Sequence, residues 1–357
     1  MKKNAERISN VNPLRWKRHQ LDVLEQRKLP LVEHWRICRT YEEVAQAIEQ
    51  MSVRGAPAIG ITAAYGVALQ ALQVSDVVKF KDLVLKSIHR LARTRPTAVN
   101  LFYALNQMEN ELINNGHLSL AEQKKKLEEL AVRIHRHDES LCSQLGHWGA
   151  QLLQGKKEIL TYCNTGSLAT GGEGTALAAI KRAAQKNKQI HVWACETRPY
   201  FQGSRLTAYE LAKNKIDFHI ITDNVAASLM KQKRVEAIIV GADRIVANGD
   251  TANKIGTYSL AVLARMHQIP FYVSAPRTTL DFQKKQGSEI QIELRNSKEV
   301  ICPQGRAVTC ENYPAYNPAF DVTPGTLITA IILETGICYP PYRASLKAKG
   351  QNLKLTL

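Results

Sequence analysis

Long apolar runs are missing from this chain of 357 residues. No stretch reaches the ~18 consecutive apolar residues of a membrane-crossing helix, so no membrane partner is expected. The opening MKKNAERISNVNPLRWKRHQ carries lysines with no apolar stretch behind them, which argues against a secretory signal. Paired cysteines are missing too. The seven at 38, 142, 163, 195, 302, 310 and 338 are odd in number and form no C-x-x-C. That excludes a disulfide framework and points to the reducing cytoplasm. There is no H-E-x-x-H, and His135 and His137, flanking Arg136, read as solvated positions of a charged helix, so no metal site is expected. Aromatics are only 6%, and the basic residues behind the net charge of +16 are scattered. Nucleic acid needs a basic stripe interleaved with aromatics, so it is not the expected partner.

What is present is 45% hydrophobic residues, enough for a large core in two domains. The first 150 residues read as a small, mainly helical N-terminal domain. Helices are expected over Tyr41–Met51, Ala58–Leu72, Val77–Thr94, Val99–Asn114 and Leu120–Leu153, the last broken near His135–His137. Leu14–Leu24 and Leu31–Ile37 suit a short sheet. Over 151–357 the pattern becomes strand–helix alternation. Strands are expected at Glu158–Cys163, Ile190–Cys195, Phe218–Thr222, Ala237–Gly241 and Phe271–Ser274. Helices follow at Gly174–Gln185, Arg205–Lys213, Asn224–Gln232 and Asn253–His267. This is the α/β pattern of a parallel sheet covered on both faces. Such sheets bind ligands beyond the carboxyl ends of their strands, which here carry Cys163, Glu196, Asp223, Asp243 and Ser274.

Several motifs could carry chemistry. In SVRGAPAIG (52–60), Arg54, Gly55 and Ala56 precede Pro57 and an apolar helix, where free N–H groups suit a phosphate; a plain glycine turn reads equally well. Arg95 stands likewise before the next helix, as a ligand contact or a surface residue. NTGSLATGGEGTAL (164–177) is glycine-rich but matches neither G-x-G-x-x-G nor G-x-x-x-x-G-K-[ST], so no nucleotide cofactor is expected. Cys163, at its mouth, is a low-pKa thiol beside N–H groups or a packed structural cysteine. ETRPYFQGSRLTAYEL (196–211) offers Arg198, Gln202 and Arg205 to a sugar or phosphate, or to solvent. In VGADRIVANGDTANKIGTYSL (240–260), Asp243 follows an apolar strand. Burial would fit it for general-acid work; a cap or ion pair with Arg244 is the alternative. Asn253 and Lys254 are expected at the next helix start. In YNPAFDVTPGTLITAIILETG (316–336), Thr323 and Pro324 read as the N-cap and first residue of a helix, with Asp321 either a functional residue or part of its cap.

Taken in order, SVRGAPAIG, NTGSLAT…GTAL, ETRP..QG.RLTA.EL, VGADRI..NGDTANKIGTYSLA and NPAFDVTP resemble the methylthioribose-1-phosphate isomerases of methionine salvage, over roughly residues 12–345. The wider family includes other phosphosugar isomerases and regulatory subunits of an initiation-factor exchange factor. The resemblance implies a Rossmann-like parallel sheet in the C-terminal domain, a smaller helical N-terminal domain and a homodimer. It implies conversion of an aldose 1-phosphate to a ketose 1-phosphate, with Cys163 and Asp243 as the catalytic pair and no cofactor. It places substrate contacts on Arg54, Gly55, Ala56, Arg95, Gln202, Asn253 and Lys254. Alternatives within the family are an isomerase for 5-deoxyribose 1-phosphate or ribose 1,5-bisphosphate, and a non-catalytic regulatory subunit.

Overall fold

A computed structural model describes residues 11–95 and 99–350. The chain forms two compact units. One runs from the start of the described residues to Cys142 and takes in Ser167–Gly174; the other holds Ser143–Gly166 and the chain from Thr175 on.

The first unit opens with an antiparallel sheet, β1 (Leu14–Lys17), β2 (Gln20–Leu24) and β3 (Trp35–Cys38). Five helices follow: α1 (Tyr41–Glu49), α2 (Ala56–Gln73), α3 (Phe80–Ala92), α4 (Val99–Asn114) and α5 (Leu120–Leu152), whose residues from Ser143 on belong to the second unit. The Thr40 hydroxyl and the Glu43 carboxylate cap α1 reciprocally. α2 is buried nearly all round. Side chains at Gly60 and Gly66 would collide with α4 and with Val44 and Leu91, so glycine there permits close helix packing. Pro96, expected just before α4, lies outside the described residues.

α5 is unbroken, contrary to expectation. No proline or glycine interrupts it before Gly146, and its polar residues at 135 and 138 turn inward to partners. His135 is therefore buried, which corrects its reading as a solvated residue.

The second unit is built on a seven-stranded sheet, ordered β14-β13-β10-β7-β4-β5-β6. Its elements in chain order are β4 (Glu158–Thr161), α6 (Ala176–Lys186), β5 (His191–Cys195), α7 (Ala208–Lys213), β6 (Asp217–Ile221), α8 (Val225–Lys231) and β7 (Ala237–Val240). Then come β8 (Arg244–Val246), β9 (Thr251–Lys254), α9 (Thr257–Met266), β10 (Phe271–Ser274), β11 (Leu280–Asp281), α10 (Lys298–Ile301), β12 (Phe320–Thr323), β13 (Ala330–Leu333), β14 (Gly336–Cys338) and α11 (Tyr342–Gly350). All sheet neighbours are parallel except β13 and β14. Near-continuous apolar runs such as AIIV and AIIL suit strands buried on both faces. Leu160, Ile238 and Val273 pack into one core layer, and Ile159, Ile239 and Tyr272 into the other. β8, β9, β11 and β12 form a second, four-stranded sheet.

Two expected helix starts are strands. Thr251–Lys254 pairs antiparallel with β8 and β12, and α9 waits until Thr257 because Gly256 turns the chain at φ 105°. Phe320–Thr323 pairs with β9, and the β-branched run after Pro324 becomes β13 beside β10 instead of a helix. The helix expected from Arg205 begins as a π-helical turn, Gly203–Thr207.

Candidate active site

The sheet's connectivity reverses at β4 and β7. The chain builds β5 and β6 outward on one side of β4, then returns to lay β7, β10 and β13 on the other. At such a reversal the loops leaving neighbouring strands part and open a crevice. Cys163 follows β4 and Asp243 follows β7, and Leu160 pairs with Ile238, so both candidates leave adjacent strands at the same edge.

Cys163 is half-buried and has φ 64°, a left-handed conformation that is costly for a side-chain-bearing residue. Two buried threonines grip it. The Cys163 N–H donates to Thr197 Oγ1 at 2.9 Å, and Thr207 Oγ1 donates to the Cys163 carbonyl at 2.6 Å. Asp223, after β6, accepts the N–H groups of Thr197 (2.7 Å) and Arg198 (2.8 Å) and so fixes the turn that supplies the first threonine. Behind the cysteine, Asn164 Nδ2 donates to Glu210 Oε1 at 3.0 Å.

Asp243 is half-buried, and its N–H donates to the Ala252 carbonyl at 2.9 Å, which sets it beside Asn253 and Lys254. Arg244 pairs with Asp281 (3.1 Å). Asn253 and Lys254 are both buried. Asn253 Nδ2 donates to Thr257 Oγ1 at 3.0 Å, and the Lys254 ammonium stands 5.3 Å from the Phe320 ring centroid. The Tyr162 hydroxyl donates to the Ile255 carbonyl at 2.8 Å, linking the cysteine strand to the Asn253–Lys254 segment. Asp321 accepts the N–H groups of Gly256 (2.7 Å) and Tyr258 (3.1 Å) and caps α9; burial pushes its carboxyl up to about 6 against the pull of those N–H groups.

Gln202 is buried at the start of the π-helical turn. Arg198 donates to the Pro199 and Val300 carbonyls and Arg205 to the Tyr200 carbonyl. The second unit thus brings Cys163, Gln202, Asp243, Asn253 and Lys254 into one neighbourhood of strand ends and loops. The remaining candidates belong to the first unit. Gly55 caps α2 at φ 90°, and a side chain there would collide with Ala169. Arg54 and Ala56 flank it, half-buried, and Arg95 is half-buried at the end of the α3 segment. The loop Ser167–Gly174 is held in the same unit by buried polar groups. Gln26 Nε2 donates to the Leu168 carbonyl (2.7 Å), and the Gly171 N–H donates to Asp138 Oδ2 (2.6 Å). His135 Nε2 faces the Gly171 carbonyl (3.2 Å), which can only accept, so that nitrogen carries the proton and Nδ1 accepts from the Tyr65 hydroxyl (2.9 Å).

Sequence reasoning did not find Thr197, Thr207, Glu210, His135 or Asp138. Both threonines lie inside a motif singled out for its arginines, and nothing local marks a hydroxyl that serves a residue 34 or 44 positions away.

Comparison with known proteins fits this arrangement. The model of the initiation factor 2 subunit family matches residues 52–340. The methylthioribose-1-phosphate isomerase of Thermosipho melanesiensis is 49% identical over 336 residues, 94% of this chain and 96% of its own. A crystal structure of 5-methylthioribose 1-phosphate isomerase from Pyrococcus horikoshii is 42% identical, covers 95% of this chain and 96% of that one, and superposes with a TM-score of 0.90. A crystal structure of the translation initiation factor eIF-2B, subunit delta, from A. fulgidus is 41% identical with a TM-score of 0.86, over 95% of this chain and 99% of that one.

Proposed function

This chain belongs to the initiation factor 2 subunit family, and we propose that it converts 5-methylthioribose 1-phosphate to 5-methylthioribulose 1-phosphate in methionine salvage. It is an aldose–ketose isomerase. The observation that carries the mechanism is the pair Cys163 and Asp243, leaving adjacent strands β4 and β7 at the reversal of the sheet. Counted outward from β4, the strand order supports a Rossmann-like reading of this unit.

The substrate sets the problem. Its anomeric carbon carries a phosphoester, so the ring cannot open as a free hemiacetal would. Asp243 gives a proton to the ring oxygen as the C1–O bond breaks. Cys163, as thiolate, takes the proton from C2, and its electron pair forms the C1=C2 enol. The thiol then returns that proton to C1, while the C2 hydroxyl gives its proton back to Asp243 and becomes the ketone. Every proton is returned, and the reaction is redox-neutral, so these two groups suffice. Gln202, Asn253 and Lys254 are assigned to the sugar and phosphate, with Arg54, the N–H groups at Gly55 and Ala56, and Arg95 as phosphate contacts. A hydride shift from C2 to C1 is the competing route.

Among the described residues no cysteine is in a disulfide and four are buried, which suits the cytoplasm, and no helix is long and apolar enough to cross a membrane. Exposed Tyr258, Val262 and Met266, four residues apart on α9, support a homodimer.

The test is turnover of 5-methylthioribose 1-phosphate against 5-deoxyribose 1-phosphate and ribose 1,5-bisphosphate. The first should show the highest kcat/KM. Cys163→Ser and Asp243→Asn should each lose about 10²-fold or more in kcat, the scale of a lost acid or base. Absence of turnover on all three sugars would favour a regulatory subunit instead. A folded variant within about tenfold of the parent would remove that residue from the mechanism.

A further inference from the structure

The second unit buries an ion pair that the chemistry above does not use. Lys181 Nζ, on α6, donates to Glu210 Oε2, on α7, at 2.9 Å; the side chains are 1% and 0% exposed. Burying such a pair takes two charges out of water, and an apolar pair of similar volume is often as stable or more so. Stability alone is therefore a weak reason for its presence, and its other contacts show a use. Glu210 Oε1 accepts from Asn164 Nδ2 at 3.0 Å. A side chain at Gly166 would run into the same carboxylate, so the loop backbone lies directly against it. Asn164 Nδ2 also reaches Thr207 Oγ1 at 3.3 Å, the hydroxyl that donates to the Cys163 carbonyl. Lysine thus fixes the carboxylate, the carboxylate fixes Asn164, the residue after the left-handed cysteine, and Thr207 holds that cysteine's carbonyl.

We propose that Glu210, oriented by Lys181, is a positioning residue that sets Cys163 through Asn164 and Thr207. The inference rests on the reading of Cys163 as the base. It predicts that the acceptor facing Asn164 matters for turnover, while the buried charge can be dispensed with.

Two double variants separate these demands. Lys181→Met with Glu210→Leu removes the charges and the acceptor. Lys181→Met with Glu210→Gln removes the charges and keeps an acceptor for Asn164. Neither leaves a lone buried charge, so both should fold; the leucine double, which takes the acceptor from Asn164, should unfold somewhat below the glutamine double. The leucine double should lose about 10- to 100-fold in kcat with KM little changed, the scale of a misplaced catalytic group. The glutamine double should recover most of that loss. The second readout is the pH profile of iodoacetamide labelling at Cys163, which should shift in the leucine double and return toward the parent's in the glutamine double. A leucine double with the parent's kcat and labelling profile would overturn the proposal, as would a glutamine double no better than the leucine one. Cys163→Ser is assayed in parallel. If it stays active, the base assignment fails, while the labelling profile still decides whether Glu210 positions Cys163.

Discussion

The Thr197 hydroxyl accepts the N–H of Cys163 at 2.9 Å and donates to the carbonyl of Cys195 at 3.0 Å, so one buried side chain joins the loops after β4 and β5. Valine has the same shape without the hydroxyl. Thr197→Val would leave that N–H and carbonyl without this partner, at a cost of about 1–3 kcal/mol each way a buried group goes unsatisfied. Chemical denaturation should show a lower midpoint with an unchanged slope, and kcat should fall more than KM rises. An unchanged midpoint would mean that water replaces the hydroxyl.

Cys163 should be the thiol that reacts first with iodoacetamide near neutral pH. Burial raises the thiols of Cys38 and Cys338 to about 11 and pushes up Cys142 and Cys195 as well. Cys310 is more exposed than Cys163, so a faster reaction at Cys163 would report its thiolate character and not its access. Peptide mass spectrometry with and without the ketose product checks this. Equal rates at Cys163, Cys302 and Cys310, without protection by product, would favour the hydride route with Asp243 as the principal acid.

Arg54→Ala should raise KM strongly and leave kcat within a few fold, because a charge-assisted contact of about 1.5–3 kcal/mol to phosphate is lost in ground and transition states alike. An unaltered KM would take Arg54 out of the phosphate assignment.

Gly55→Ala combines a backbone at φ 90° with a side chain driven into Ala169. The conformation alone costs about 1–3 kcal/mol. The variant should melt well below the parent by calorimetry; a melting temperature within a degree or so would show that the loop at Ala169 yields freely.

Acid should weaken the first unit through His135. Burial pushes its pKa below the ordinary 6.5, so the unfolded chain binds the proton more readily than the folded one. The neutral ring's contribution is complete above about pH 6.5 and fades as pH falls from there toward the lowered folded value. His135→Gln should flatten that part of the stability–pH curve. A parent whose stability is level from pH 7 to pH 5 would contradict this.

Much of the parallel sheet was legible because its strands are short apolar runs broken by polar ends. The five expected strands lie within a few residues of β4, β5, β6, β7 and β10. The four-stranded sheet was not legible. Its strands, such as TANK and FDVT, are short and polar, and they exist through pairing with each other more than through any local pattern. Cys163, Asp243, Asn253 and Lys254 stood out because polar residues at strand ends are conspicuous. His135 was misread because its neighbours Arg136 and Glu139 are exposed, and one residue's difference around a helix separates solvent from core.

The excursion of Ser167–Gly174 into the first unit bears on how the chain is made on a ribosome. Residues up to Cys142 emerge first, yet Asp138, His135 and Gln26 must wait for partners in a loop synthesised 33, 36 and 142 residues later. The N-terminal unit therefore cannot complete its polar interior as an independent leading domain. Its last step is tied to synthesis of the loop that follows Cys163, so a nascent chain stalled before Gly174 would be held in a loosened state exposed to proteases.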